Sequence, residues 1–197
     1  MPGRAEFNHS VRLRDSRAAT PTDPMNMHTT TVRKATGERD VESACRIVDA
    51  CRTALRDAGI DQWDDVYPTR QTVAEDAARQ RLFVLIAGEE CVATIALDET
   101  QSPEYASVSW QFPTPALVVH RLCVDPMRQG EGFGGTLMNF AETYAAEHRY
   151  ASIRLDAYSP NAGAVALYRR RGYREAGRVF FPRRTAVFYC FEREVVR

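Results

Sequence analysis

The sequence predicts an α/β fold in which a mixed, mostly antiparallel central sheet carries helices on both faces. Three observations lead to this prediction. Short apolar runs typical of strands alternate with longer segments in which apolar residues recur at helical spacing. Residues 81–87 and 91–97 are two such runs separated by the tight turn 88–90, which predicts an antiparallel hairpin. Residues 116–158 then read as strand, glycine-rich loop, helix and strand, an order typical of α/β domains.

The elements follow one another in the order β-α-α-β-β-β-α-β-α-β-β. The first helix shows the helical spacing clearly, with Val41, Val48 and Leu55 on one face, and Gly59 ends it. The predicted helices are 38–58, 70–79, 132–148 and 162–171. The predicted strands are 30–34, 81–87, 91–97, 116–124, 153–158, 173–181 and 185–192.

Length and composition indicate one domain preceded by a tail. Residues 1–28 are rich in Arg, Ser, Thr and Pro without an apolar period, so we expect a disordered tail before a single domain at 29–197. Lys and Arg together number 26, as do Asp and Glu, and this zero net charge argues against broad binding to nucleic acid or membranes. The chain has no apolar run long enough for a membrane span and no signal-peptide core, so we expect a cytoplasmic protein.

The five cysteines read as small buried hydrophobes of a reducing compartment. Their number is odd, none forms a CxxC pair, and most lie in apolar runs. The four histidines show no ligand spacing with them, so we expect no metal site.

The strongest functional signal is the segment 125–135, DPMRQGEGFGG, between a predicted strand and a predicted helix. Glycines let backbone N–H groups approach a phosphate closely, and a helix N-terminus adds unpaired donors, so this is an anion site suited to a pyrophosphate. The Gly-Lys-Ser/Thr ending of a Walker A loop is absent. Gly130, Gly132 and Gly135 match the letters of a dinucleotide loop, with Asp156 near the expected spacing, and only the late position in the chain disfavours that alternative. A helix-start turn without a ligand is the other alternative.

The loop and its surroundings resemble one known family. Residues 129–134, QGEGFG, fit the Q/R-x-x-G-x-G/A signature of the GCN5-related N-acetyltransferase (GNAT) superfamily. The strand end 122–126, the strand 155–158, Asn161 and the segment 167–173 also match, in the family's order. The resemblance implies the acyl-CoA N-acyltransferase fold over residues 29–197 and transfer of an acetyl group from acetyl-CoA to an amine.

The resemblance also assigns residues to the co-substrate. The main chain of Leu122, Cys123 and Val124 would pair with the pantetheine arm of coenzyme A. The N–H groups of the loop would hold the pyrophosphate, and the loop consists of Gln129, Gly130, Glu131, Gly132, Phe133 and Gly134. Asn161 would also contact the cofactor, although a position after Pro160 and before a helix makes it a natural N-cap as well.

Three residues are catalytic candidates. The family's tyrosine on the late helix is here Tyr168, which would protonate the departing thiolate, since the pKa of a phenol is close to that of a thiol; a core position on an apolar stripe is the alternative. The oxyanion needs a donor such as the N–H of Leu122. His120 and Asp156 are candidate bases for the amine. A structural histidine, and an aspartate that binds the substrate cation or anchors the sheet, are the alternatives.

The acceptor side is less defined. The aromatic loop 59–68 lies at the family's variable substrate position, so Trp63 and Tyr67 are candidate substrate-binding residues, with a hydrophobic plug as the alternative. We expect direct transfer in a ternary complex to an amine on a small molecule. A noncatalytic acyl-CoA-binding module of the same fold is the rival hypothesis. A homodimer through the C-terminal strands is compatible with the sequence.

Overall fold

The computed structural model describes residues 30–196. The predicted tail, 1–28, lies outside the described residues. In the part of the chain that the structure describes, no helix is long and apolar enough to cross a membrane.

The observed elements follow the predicted order, and most of their ends lie within one or two residues of the predicted ones. The helices are α1 (Gly37–Asp57), α2 (Arg70–Ala78), α3 (Phe133–Glu147) and α4 (Ala162–Arg170). The strands are β1 (Thr30–Lys34), β2 (Leu82–Ala87), β3 (Glu90–Asp98), β4 (Ala116–Val124), β5 (Ser152–Tyr158), β6 (Arg174–Val179) and β7 (Phe188–Glu194).

The seven strands form one sheet in the order β1-β2-β3-β4-β5-β7-β6. Neighbouring strands are antiparallel except β4 and β5, which are parallel and joined by the crossover helix α3. The predicted mixed, mostly antiparallel sheet is therefore confirmed. The parallel pair is short, because β4 and β5 are paired only from Ala116 opposite Ser152 to Val118 opposite Arg154. Beyond that point β4 continues along β3 and β5 continues along β7, so the sheet opens between them.

Helices cover both faces of the sheet, which explains why the central strands are apolar at nearly every position. Helices α3 and α4 pack on one face, where Leu137 and Met138 are fully buried. Helices α1 and α2 pack on the other face, with Ile47 and Val73 in the core. All five cysteines are free and buried, as the sequence predicts.

The final strands differ most from the prediction. Strand β7 begins at Phe188, not at residue 185. The backbone donors just before it are occupied by side chains: the N–H of Thr185 donates to Asp61 Oδ2 at 3.1 Å, and that of Ala186 donates to the hydroxyl of Tyr158 at 3.0 Å. A strand ladder cannot use donors that are already engaged, so pairing starts later. The predicted loop 98–115 also contains a short 3-10 helix, Pro103–Ser107.

Candidate active site between the separating strands

A cavity of about 720 Å³ lies where β4 and β5 separate. Side chains from both strands, from α4 and from the aromatic loop face it. It brings together six of the residues singled out in the sequence: Trp63, Tyr67, His120, Leu122, Asp156 and Tyr168. A cavity of this size is typical of sites for small organic ligands.

The glycine-rich loop enters α3 beside this opening. Gly130 and Gly132 have φ angles of 90° and 87°, a left-handed conformation that favours glycine, and a Cβ at either would meet no atom within 4 Å. The backbone N–H groups of Gln129, Gly130 and Gly132 donate no hydrogen bond to other described residues. Together with the N-terminus of α3, these donors form an open anion-binding turn.

Cys123 and Val124, the two other residues predicted to pair with the cofactor, do not line the cavity. Cys123 is buried in the core under α1, and its thiol donates to the carbonyl of Arg121 at 3.3 Å. Burial raises the pKa of the Cys123 thiol well above its usual range, so it is no nucleophile. The carbonyl of Val124 accepts from Gln129 Nε2 and from Cys51 Sγ, both at 3.2 Å. These two bonds fix the end of β4 against the loop and α1.

Tyr168 points from α4 into the cavity and is almost completely buried. Its ring packs against Phe191 and Tyr173, with centroids 6.0 and 6.1 Å away. Its hydroxyl makes no hydrogen bond to any other residue within 30–196. Burial raises the pKa of Tyr168, and the nearby Asp156 carboxylate raises it further, so the phenol stays protonated at neutral pH. A hydroxyl that reaches the cavity without a protein partner is available to a ligand.

Asp156 lies on the stretch of β5 that pairs with β7 but no longer with β4, and it faces the same cavity. Its Oδ2 accepts a hydrogen bond of 2.6 Å from the hydroxyl of Tyr105, and no ion pair with it is made among the described residues. Burial raises the pKa of Asp156, and the Tyr105 hydrogen bond opposes part of that rise. A carboxylate with a raised pKa is better able to accept a proton than an exposed one.

His120 is held by a second carboxylate. Its Nε2 lies 3.0 Å from Asp98 Oδ1, and Asp98 Oδ2 pairs with Arg81 at 2.8 Å. Burial tends to raise the pKa of Asp98, but its bond with His120 and the charge of Arg81 hold that pKa below its ordinary value. His120 also lines the cavity, and its Nε2 is engaged by Asp98.

The aromatic loop is tied to β4 and to the start of α4. The hydroxyl of Tyr67 accepts a hydrogen bond of 2.8 Å from Arg121. Asn161 caps α4 by accepting from the N–H of Ala164 at 3.2 Å, and its amide donates to Gln62 at 2.8 Å. The capping interpretation of Asn161 is thus confirmed, whereas a cofactor contact stays a prediction. These bonds hold Trp63 and Tyr67 at the cavity.

Sequence reasoning missed several residues of the site. Tyr105, Glu104 and Phe181 line the cavity from segments that the sequence assigns to a loop or to a strand end. Asp98, which holds His120, lies at the end of a strand far from it in the chain. No local pattern marks such residues, because their role depends on contacts between distant segments.

In the part of the chain that the structure describes, no group of three or more His, Cys, Asp or Glu residues could hold a metal ion. The candidate site comprises the glycine-rich turn with its free N–H groups, the split between β4 and β5, and a cavity lined by Tyr168 and Asp156. Residues 48–173 match the family model described as the acetyltransferase (GNAT) family, and the chain belongs to this family. The dinucleotide-loop alternative is thereby removed.

Individual relatives agree with this assignment. The chain is 26% identical over 160 residues to the uncharacterized N-acetyltransferase YesJ of Bacillus subtilis (strain 168). The aligned region covers 79% of this chain and 86% of that protein. Its fold is similar to that of a GNAT-family acetyltransferase from Streptococcus agalactiae, with a TM-score of 0.70, 18% identity, and 85% and 96% of the two chains covered. The ribosomal-protein-S18-alanine N-acetyltransferase of Escherichia coli is also similar, with a TM-score of 0.61, 17% identity, and 86% and 96% coverage. At these identities the structural likeness concerns the fold.

Proposed function

We propose that the protein is an N-acetyltransferase that moves an acetyl group from acetyl-CoA to a primary amine of a small molecule, by direct transfer in a ternary complex. One arrangement carries this proposal: the open anion-binding turn leads into α3 beside Leu122, since a Cβ at Gly134 would lie 3.9 Å from that side chain, and Leu122 lines the cavity that holds Tyr168 and Asp156. A nucleotide thioester needs a pyrophosphate site at one end and acid and base groups at the other.

The residues at the turn fit coenzyme A. The free N–H groups of Gln129, Gly130 and Gly132 suit the oxygens of a pyrophosphate, and the absence of a Cβ at both glycines keeps the approach open. The contacts of Glu131, Phe133 and Gly134 with the pyrophosphate are part of the same proposal. The pantetheine arm would lie along the main chain of residues 122–124, beside the opening. Bound acetyl-CoA supplies the acetyl thioester, and the protein supplies position and proton transfer.

Proton transfer at the cavity would use Asp156, which makes no ion pair with the described residues, and Tyr168, whose hydroxyl has no partner among them. Asp156 would take a proton from the incoming ammonium, directly or through water, and so make the amine nucleophilic. The new C–N bond forms as the C–S bond breaks, and the hydroxyl of Tyr168 gives its proton to the departing sulfur. The N–H of Leu122 would stabilise negative charge on the carbonyl oxygen. The second proton of the amine nitrogen leaves to solvent, and Tyr168 is reprotonated.

His120 is a second candidate for the base. Its bond to Asp98 would hold the imidazole in one orientation at the cavity, and histidine is a common general base. Asp156 is the stronger choice because it lies on the separated stretch of β5 and makes no ion pair with the described residues. Asp156→Asn and His120→Gln can be compared directly in the assay below.

The proposal is tested by measuring thiol release from acetyl-CoA with a panel of primary amines. We expect release that depends on the amine, initial-rate lines that intersect when both substrates are varied, and no acetylated protein by mass spectrometry in the absence of amine. Tight binding of acetyl-CoA without turnover of any amine, together with no effect of Tyr168→Phe, would instead favour a noncatalytic acyl-CoA-binding module. An acetylated protein that forms without amine would exclude direct transfer.

Two expectations about the whole protein remain proposals. We propose that it acts in the cytoplasm, and that a homodimer forms through the C-terminal strands. Strand β6 is at the edge of the sheet and so has an unpaired side that could extend it. Light scattering coupled to size exclusion would give the mass, and a monomer at every concentration would exclude the dimer.

A further inference from the structure

The charges that face the cavity indicate the chemical class of the acceptor. We propose that the acceptor is a primary amine with an aromatic or other bulky apolar body and without an anionic group. This inference rests on the proposed function and narrows it. The Asp, Glu, His and Arg side chains that line the cavity are Glu104, His120, Arg121, Asp156, Arg183 and Arg184.

The arginine and histidine side chains of the cavity already have carboxylate partners outside it, with Arg183 and Arg184 sharing the single carboxylate of Asp64. The shortest N···O distances are 2.7 Å for Arg121 and Asp76, 3.0 Å for His120 and Asp98, 2.9 Å for Arg184 and Asp64, and 3.7 Å for Arg183 and Asp64. Arg121 and Arg184 are also largely buried, at 13% and 6% side-chain exposure. An acceptor carboxylate would have to compete with these existing pairs for its counter-charge, which weakens its binding.

The two carboxylates that line the cavity, by contrast, have no cationic partner among the described residues. They belong to Asp156 and Glu104. Their partners are neutral hydroxyls: Tyr105 donates to Asp156 Oδ2, and Ser102 donates to Glu104 Oε2. Because Arg183 and Arg184 share one carboxylate, one positive charge faces these two carboxylates. The balance in the cavity stays negative when both are ionised, which favours a cationic acceptor and disfavours an anionic one.

Several aromatic side chains also line the cavity, and the two segments that carry three of them are joined by an ion pair. Trp63 and Tyr67 come from the loop 59–68, and Phe181 comes from the segment before β7. The two segments are joined because Arg184 pairs with Asp64 at 2.9 Å. Aromatic faces bind apolar bodies by burial of surface and bind ammonium groups through cation–π attraction. Aromatic side chains and carboxylates without ion-pair partners in one cavity match an arylalkylamine better than a short aliphatic amine.

The test compares three acceptors that differ in one feature each. 2-Phenylethylamine has the ring and the amine, L-phenylalanine adds only a carboxylate, and ethylamine removes only the ring. We expect kcat/KM for 2-phenylethylamine to exceed both others by about 10-fold or more, since an unpaired charge in a closed site or a lost apolar group costs at least that much. Glu104→Gln should bring L-phenylalanine several-fold closer to 2-phenylethylamine, whereas Glu147→Gln, at the end of α3 and away from the cavity, should leave the ratio unchanged.

Two results would overturn the inference while leaving the proposed function intact. One is turnover of L-phenylalanine equal to or better than that of 2-phenylethylamine, together with its loss in Arg183→Ala, which would indicate an amino-acid acceptor. The other is equal turnover of ethylamine and 2-phenylethylamine, which would show that the aromatic side chains of the cavity do not contact the acceptor. Absence of thiol release with every amine, charged or apolar, would overturn the proposed function and this inference together.

Discussion

The guanidinium of Arg121 lies 2.7 Å from the carboxylate of Asp76 and joins strand β4 to helix α2. Both side chains are nearly buried, with 13% and 10% exposure. The backbone of Arg121 has a φ of 46°, and the register between β3 and β4 shifts beside it. The ion pair thus holds a left-handed residue in place between His120 and Leu122, two of the candidate site residues.

Asp76→Asn should lower the free energy of unfolding by about 3 kcal/mol, because the buried Arg121 loses its counter-charge. Urea denaturation at pH 7 with the slope compared between variants measures this loss. The matched control is Glu42→Gln, which removes the partner of Arg70 in an exposed pair at 62% and 65% exposure and should change stability by less than about 0.5 kcal/mol. Equal effects of the two variants would show that the Arg121 pair does not stabilise the fold.

Tyr168→Phe should lower kcat by about 100-fold and leave KM for acetyl-CoA nearly unchanged, because only the proton donor is removed. The matched control is Tyr173→Phe. The hydroxyl of Tyr173 is buried without a partner among the described residues and does not line the cavity, so its loss should leave kcat unchanged and stability equal or higher. Steady-state thiol release measures both variants. A kcat for Tyr168→Phe within a factor of two of the wild-type value would remove this residue from the proton-transfer step.

The parts of the fold that the sequence predicts correctly depend on local patterns. The apolar period of α1 and the hairpin of β2 and β3 need only neighbouring residues, and both are confirmed. The loop 129–134 is recognisable because its glycines, at 130, 132 and 134, lie close together in the chain. Tyr168 is recognisable for a similar reason, since it lies in a short segment typical of the family.

The parts that could not be predicted depend on distant pairs. Tyr105 donates to Asp156 across 51 positions of the chain, and nothing in the predicted loop 98–115 marks that tyrosine. Asp61 accepts from Thr185 across 124 positions, and this bond delays the start of β7. Such contacts are set by the way the sheet brings loops together, which a single sequence does not encode locally.

Gly130→Ala should weaken binding of coenzyme A by about 10-fold and lower stability by about 1 kcal/mol. The φ of 90° is strained for a residue with a Cβ, and relief of that strain would move the N–H groups of the anion-binding turn. Gly37→Ala is the matched control, because Gly37 has a φ of 73°, equally open surroundings and a position at the start of α1. It should lose similar stability and keep full affinity. Calorimetric titration with coenzyme A separates the two effects, and equal affinities would show that the turn does not hold the pyrophosphate.

Asp156→Asn should abolish most of the activity and yet stabilise the protein by about 1 kcal/mol at neutral pH. The reason is that proton transfer needs the Asp156 carboxylate, whereas burial of its charge destabilises the folded state. Burial raises the pKa of Asp156 above its ordinary value of 3.8. Below 3.8 both the folded and the unfolded carboxyl are protonated, so the charge costs nothing. As the pH rises from 3.8 through the folded pKa, the unfolded state ionises more readily and the native protein loses stability.

The stabilisation by Asp156→Asn should therefore be largest at pH 7 to 8 and shrink as the pH falls toward 4. Thermal unfolding of both proteins over this range measures the difference. Asp49→Asn, at an aspartate with 61% exposure on α1, should show a difference of less than about 0.5 kcal/mol at every pH. A loss of stability for Asp156→Asn at pH 7 would mean that the hydrogen bond from Tyr105 stabilises the fold by more than burial of the charge destabilises it. The carboxylate would then anchor the sheet and would not be a base held in place for catalysis.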